Sequence, residues 1–321
     1  MSIADPPRAA EWVCKLLGAW LLLNGLPASS QDLDPSGTPR TGLSLLVLGS
    51  GGPGATGRAG AGYIVSLDGQ PRILVDAGPG TFARAGEANV DFSRVDTVLL
   101  THLHVDHAAE LPGLIKARIV AGRSGAEFNI FGPPGSRGGP DAARFPSTTQ
   151  FVELMFGAQG AFGYLRDFAG RLTLHAHDVM RSAQPQMLLT ADGLRLSAIT
   201  GHHGDAPSVV YRIDYRGRSI TFSGDIDAAG HAALTRLAQN TDMLIFDAVV
   251  LDPPASPAVL YTLHTPPRDI GRIAQRTGAK MLLLSHLNPT IDAARDAVRA
   301  SIQVSYTGPI EFARDGWRDA L

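Results

Sequence analysis

The chain has 321 residues, 44% hydrophobic and 18% charged, with a formal net charge of −2. That is apolar material for one large core or two small ones, and with no block of Lys or Arg the charge pattern calls for no polyanionic partner, though it does not forbid a nucleic acid. The single cysteine, Cys14, excludes an intrachain disulfide and a cysteine-rich zinc site, so any metal must rest on His and carboxylate, a donor set that suits Zn, Mn or Fe.

Arg8 and Lys15 precede a short apolar run, LLGAWLLLNGL (16–26), and small residues follow in PASSQ. Basic, apolar, small is the order of a secretory signal peptide, predicted over residues 1–30, and the run is too short for a settled membrane span. The expectation is export, to the periplasm or outside. An amphipathic surface helix is the other reading, and it leaves the protein cytoplasmic. Cys14 lies before the apolar run, unlike a lipoprotein anchor. Residues 31–42 (QDLDPSGTPRTG) read as a polar linker, and 43–321 as one domain with no later run fit to span a membrane.

LSLLVLG (43–49), AGYIVSL (61–67) and RILVDAG (72–78) are apolar runs bounded by Gly and Pro, hence buried strands. TFARAGEA (81–88) is a short helix. RVDTVLL (94–100) is a strand that delivers the chain into THLHVDH (101–107), and a helix is predicted over 108–120. FNIFGPP (128–134) is strand then turn. The segment 141–171 carries six aromatics and is predicted to be helical, as a lid or pocket wall. Strands follow at 186–190, 194–200, 208–215 and 219–223, with Asp192-Gly193 and Arg216-Gly217 as hairpin turns. A helix over 228–238 and a strand over 242–246 come next. Thr265 is the expected cap of a helix with Pro266 in its first turn, ending near Gly278. A strand over 280–286 precedes a last helix, capped by Thr290. Hairpins interspersed with strand–helix units predict a layered α/β sandwich.

THLHVDH sets His102, His104, Asp106 and His107 directly after an apolar strand. In extended chain, alternate side chains share a side, so His102 and His104 can converge on one ion. A turn into helix at Asp106 lets Asp106 and His107 reach a second point nearby, with Leu103 and Val105 expected to anchor the loop in the core. Three further ligand-type residues also close apolar runs: His203 after LRLSAIT, Asp225 in SITFSGD and His286 in KMLLLSH. Strand carboxyl ends are where α/β sheets place their sites. His175 and His177 alternate on a predicted strand face, and His231 is expected at the surface of a helix.

On these residues the chain resembles the metallo-β-lactamase-fold hydrolases over roughly 43–315, THLHVDH matching the His-x-His-x-Asp-His motif in full. It looks closer still to the ribonuclease Z and arylsulfatase-like branch, through LGSGGPGATGR, LVDAGPG, LPGL, PSVVYRI, TFSGD and LHTPPRDIGRIAQRTGAKMLLLSHLNP. The resemblance implies an αββα sandwich with two zinc ions, Mn or Fe being alternatives. It implies His102, His104 and His203 on one metal, Asp106, His107 and His286 on the other, and Asp225 bridging, with His203 chosen over His202. Asp76 would orient a ligand and His202 stand behind one. A metal-bound hydroxide would attack a phosphodiester or sulfate ester of a small-molecule substrate. Asp106 would orient the hydroxide, and His264, steered by Asp247, would be the general acid. The alternatives are a lactonase, thioesterase or β-lactamase-type hydrolase of a carbonyl, or a non-hydrolytic metal-binding protein. His104 speaks against the diiron relatives, which carry Glu there. Relatives are often homodimers. The chain departs from ribonuclease Z at 133–185, which is compact and aromatic where that enzyme has a basic, Gly-rich arm for tRNA.

Overall fold

The computed structural model describes residues 41–54, 56–122, 125–136, 144–168 and 170–321. The expected signal peptide, Cys14 and most of the expected linker lie outside these residues.

Among the described residues, fourteen strands form two seven-stranded sheets. In spatial order the first contains β14 (Arg318–Ala320), β1 (Leu43–Gly49), β2 (Gly62–Leu67), β3 (Gln70–Val75), β4 (Thr97–Leu99), β5 (Ala126–Gly132) and β6 (Leu172–Asp178). The second contains β13 (Ile310–Phe312), β12 (Met281–Ser285), β11 (Met243–Asp247), β10 (Arg218–Phe222), β9 (Val209–Tyr215), β8 (Leu194–Thr200) and β7 (Gln186–Ala191).

The period of two in β1 sorts its side chains. Leu43, Leu45 and Val47 enter the core between the sheets, where they join Tyr211, Ile213, Ile220 and Met243 of the facing sheet. Leu46 and Leu48 point the other way, into a cluster that includes Leu111, Leu114 and Ile115 of a helix over Leu111–Gly122. On the outside of the second sheet, Leu244, Phe246, Leu282 and Leu284 pack with Ile270, Ile273, Val298 and Ile302 from helices Pro267–Thr277 and Arg295–Gln303. The order of layers is therefore helix, sheet, sheet, helix, which is the expected αββα sandwich. Both central sheets are covered on both faces, and each fully buried aliphatic side chain contributes about 1.5–3 kcal/mol.

Asp192-Gly193 (φ 49° and 83°) and Arg216-Gly217 (φ 48° and 79°) make the two-residue turns between β7, β8, β9 and β10. Several expectations need correction. The helix predicted over 108–120 is two pieces, Val105–Ala108 and Leu111–Gly122. Thr265 does not cap the next helix, whose N-cap is Pro266; its hydroxyl donates instead to the Ile226 carbonyl. Thr290 is not a cap either: the Asn288 side chain accepts from Ile291 N–H and does that work. Among the described residues of 141–171, helix is limited to Thr148–Phe156 and a 3-10 turn at Gly163–Asp167. The short strands β13 and β14 carry no periodic pattern to find; β14 exists because it pairs with β1.

Candidate metal centre

Strand direction builds the centre. β3 and β4 run parallel in the first sheet; β10, β11 and β12 run parallel in the second, and β8 shares their direction through two antiparallel pairings with β9. Their carboxyl ends carry Asp76, Thr101–His107, His203, Asp225, Asp247 and His286. The two sheets are tied there by Val209 N–H, which donates to the Thr101 carbonyl at 2.8 Å, and by the Tyr63 hydroxyl, which donates to Ser285 Oγ at 2.7 Å.

His104 is the N-cap residue of the short helix Val105–Ala108, so the chain leaves extended geometry between His104 and Asp106. His102 and His104 face each other through Nε2 and Nδ1 at 3.1 Å, and His203 joins them, its ring 5.0 Å from that of His102 and 5.1 Å from that of His104. On the other side of the turn, Asp106 Oδ2 lies 3.8 Å from His107 Nε2 and 3.2 Å from His286 Nε2. Asp225 stands between the two groups. Its Oδ2 faces His203 Nε2 at 3.6 Å and His102 Nε2 at 3.9 Å, and its Oδ1 faces His107 Nε2 and His286 Nε2, both at 3.5 Å. Among the described residues, His102/His104/His203, His102/His107/Asp225, Asp106/His107/His286 and His203/Asp225/His264 each offer donor atoms within 4.8 Å of one another.

A second set of contacts aims these side chains. Asp76, in left-handed backbone (φ 55°), accepts from Thr101 N–H and Thr101 Oγ1, each at 2.8 Å, and from His107 Nδ1 at 2.8 Å. The Leu263 carbonyl takes His203 Nδ1 at 2.9 Å. Asp247 Oδ2 holds His264 Nδ1 at 2.8 Å. Glycines make room for the loop: a side chain at Gly78 would overlap the Asp106 carbonyl, and one at Gly52 would overlap the His286 ring. Hence the two Gly-rich turns in the sequence.

Electrostatics follow from burial. It pushes the imidazolium forms of His102, His104 and His203 down, so these three are neutral nitrogen donors. It also opposes a charged His107, but Asp225, Asp76 and Asp106 outweigh it and raise that ring to about 9. Burial works against the Asp225 carboxylate too, yet His286, His107, His264 and His102 hold it well below the usual range. Burial disfavours charge on both members of the other pair, lowering His264 and, with the charge of Asp225, raising Asp247 well above an ordinary carboxyl.

Among the described residues, His107 Nε2 and Asp225 Oδ1 are buried without a hydrogen-bond partner and face each other at 3.5 Å. Unpaired buried polar atoms are costly. A divalent cation there would satisfy them, and imidazole with carboxylate is the donor set for zinc, manganese or iron.

His202 is half-exposed and gives Nδ1 to Asp227 Oδ2 at 2.7 Å, so it stands behind no ligand-type side chain. His175 and His177 sit on β6, against Glu127 and Asn129, away from the cluster. His231 is half-buried against Thr265 rather than on the surface. Leu103, partly buried, packs against the apolar cluster outside the first sheet and anchors the loop as expected, whereas Val105 is 72% exposed and does not; Asp76 and Thr101 hold the loop as well. Sequence reasoning passed over Thr101, Asp227 and the Leu263 carbonyl. A hydroxyl residue abutting the motif was the one available signal, and it marks Thr101.

Residues 71–287 match the family described as beta-lactamase superfamily domain. Ribonuclease Z of Mycobacterium marinum (strain ATCC BAA-535 / M) is 28% identical over 292 residues, covering 85% of this chain and 96% of that one. In architecture the chain is similar to the metallo-beta-lactamase fold protein YhfI from Bacillus subtilis (TM-score 0.62, 21% identity, 86% of this chain and 98% of that one). It is also similar to the short form of human tRNase Z (TM-score 0.64, 19% identity, 86% and 98%).

Proposed function

The chain belongs to the beta-lactamase superfamily, as a metal-dependent hydrolase similar to ribonuclease Z, and from that premise we propose that it holds two zinc ions and cleaves a phosphodiester. The observation that carries this reading is the division of Asp225: one oxygen towards His102 and His203, the other towards His107 and His286. On it, His102, His104 and His203 would hold one ion, Asp106, His107 and His286 the other, and Asp225 both. Bound there, such ions would supply an acidified water as nucleophile and Lewis-acid polarisation of the ester.

The chain's own groups do the rest. Asp106 accepts a hydrogen bond from the attacking water and sets its direction. His264, with Nδ1 committed to Asp247, keeps Nε2 for delivering a proton to the leaving oxygen. Burial opposes the charged ring, and the anionic diester offsets that cost on binding.

Phosphodiester is preferred over sulfate because the relatives are ribonuclease Z enzymes, and they give the arylsulfatase alternative no support. The same relatives make a nucleic acid a candidate substrate, while the net charge of −2 suits a modest one better. Among the described residues no helix is long and apolar enough to cross a membrane. We keep export as a proposal for residues 1–30, checked by mass spectrometry of the mature N-terminus. Metal analysis should find about two ions per chain, the count a dinuclear centre requires; a fully loaded sample near one sinks that claim. Aryl phosphodiester, aryl sulfate, lactone, cephalosporin and a tRNA precursor, each with and without chelator, then separate the substrate classes.

A further inference from the structure

One wall of the centre has no part in the hydrolysis. The Phe145 ring lies 5.6 Å from that of His104, tilted by 52°. Its backbone is pinned twice: Ser136 N–H donates to the Phe145 carbonyl and Phe145 N–H donates to Ser136 Oγ, each at 3.0 Å. The neck it joins is itself tied down, with Arg181 Nη2 donating to the Gly135 carbonyl at 3.3 Å and Thr148 N–H to that of Pro133 at 3.1 Å. Phe145 is half-buried, and among the described residues it belongs to none of the three apolar clusters that pack the two sheets and their helices. The aromatic ring it faces among the described residues is that of His104.

Position decides what such a ring serves. The His203 ring stands between the two sides of the centre, 5.1 Å from His104 and 5.3 Å from His264. His264 attends the leaving oxygen, so Phe145 flanks the other ester substituent. A pinned aromatic face at a polar mouth favours a planar group, by offset or edge stacking.

We propose that Phe145 determines specificity by stacking on a planar ring, aryl or nucleobase, carried on the non-leaving side of the diester. This deepens the hydrolytic reading and rests on it for which side is which.

The test uses metal-loaded wild type, Phe145→Ala, Phe145→Leu and Phe145→Trp. Calorimetry compares affinities for methyl phosphate, phenyl phosphate and thymidine 5′-phosphate, none of which carries a scissile diester. Turnover compares the p-nitrophenyl esters of the same three, which share one leaving group. The preference for a ring over methyl should fall about 5- to 150-fold in Phe145→Ala and Phe145→Leu, the range of base–aromatic stacking, and persist in Phe145→Trp. Preference for phenyl alone assigns an aryl substrate, and preference for thymidine a nucleotide. Ring preference that is equal in all four proteins overturns the proposal. Affinities that follow Phe145 in a protein that hydrolyses nothing would leave the stacking site standing and remove the hydrolytic reading; turnover insensitive to Phe145 would do the reverse.

Discussion

Asp225 is the side chain on which both halves of the centre depend, since each of its oxygens serves a different group of histidines. Asp225→Asn should release both ions, read as loss of metal from the purified protein; retention of two would contradict the bridging role. Asp76 touches no candidate ion but spends both oxygens on Thr101 and His107. Asp76→Asn should weaken metal binding by about 10–100-fold, the usual cost of losing a ligand's orienting partner, measured by competition with a chelator. His264→Ala should lower kcat/KM by about 10²–10⁴-fold for a diester with an alkoxide leaving group and much less for p-nitrophenolate, which needs no acid. Equal losses on both would remove the acid role. At this scale the ligand-type residues were legible, because a His or Asp closing an apolar strand stands out. The orienting contacts were not, because Thr101 and Leu263 are ordinary residues until folding sets a histidine beside them.

The strands and hairpins were the most legible elements, since period-two burial and Gly turns are local signals. The helix caps at Thr265 and Thr290 were misread: Pro266 and Asn288 hold those places, and Thr265 is drawn off by the Ile226 carbonyl across the fold. Gly78→Ala should cost about 1–3 kcal/mol in denaturant unfolding, because the added methyl meets backbone of the metal-site turn that cannot give way. Asp242 ties the starts of three strands, accepting from Ser219 N–H at 2.8 Å, Lys280 Nζ at 2.7 Å and Arg218 Nη1 at 3.2 Å. Burial raises its carboxyl, but the bonds from Lys280, Ser219 and Arg218 outweigh burial and hold it below the ordinary range. A depressed folded pKa contributes stability above the unfolded value, about 3.9, and loses it as pH falls through the folded one. Asp242→Asn should therefore lower stability at neutral pH and flatten its decline below about pH 4; an unchanged acid limb would contradict this.

At the scale of the whole molecule, the centre is a seam between two sheets, so its metal should staple them. Free metal at about 100 times Kd stabilises by about 2.7 kcal/mol, and a domain this large shifts by about 2–4 °C per kcal/mol. Chelation should thus lower Tm by about 5–10 °C and abolish turnover; a metal-independent Tm would mean the sheets hold the loop ends without help. By itself the sequence determined the layered class, the order of most strands and the identity of seven ligand-type side chains. Periodicity and strand-end chemistry are written locally, and THLHVDH is compact enough to read at sight. Only the tertiary structure decided how Asp225 divides its two oxygens and that the Phe145 ring lies beside His104. Those facts depend on how the loops at the strand ends meet in space, and residues far apart along the chain carry no local mark of the distance between them.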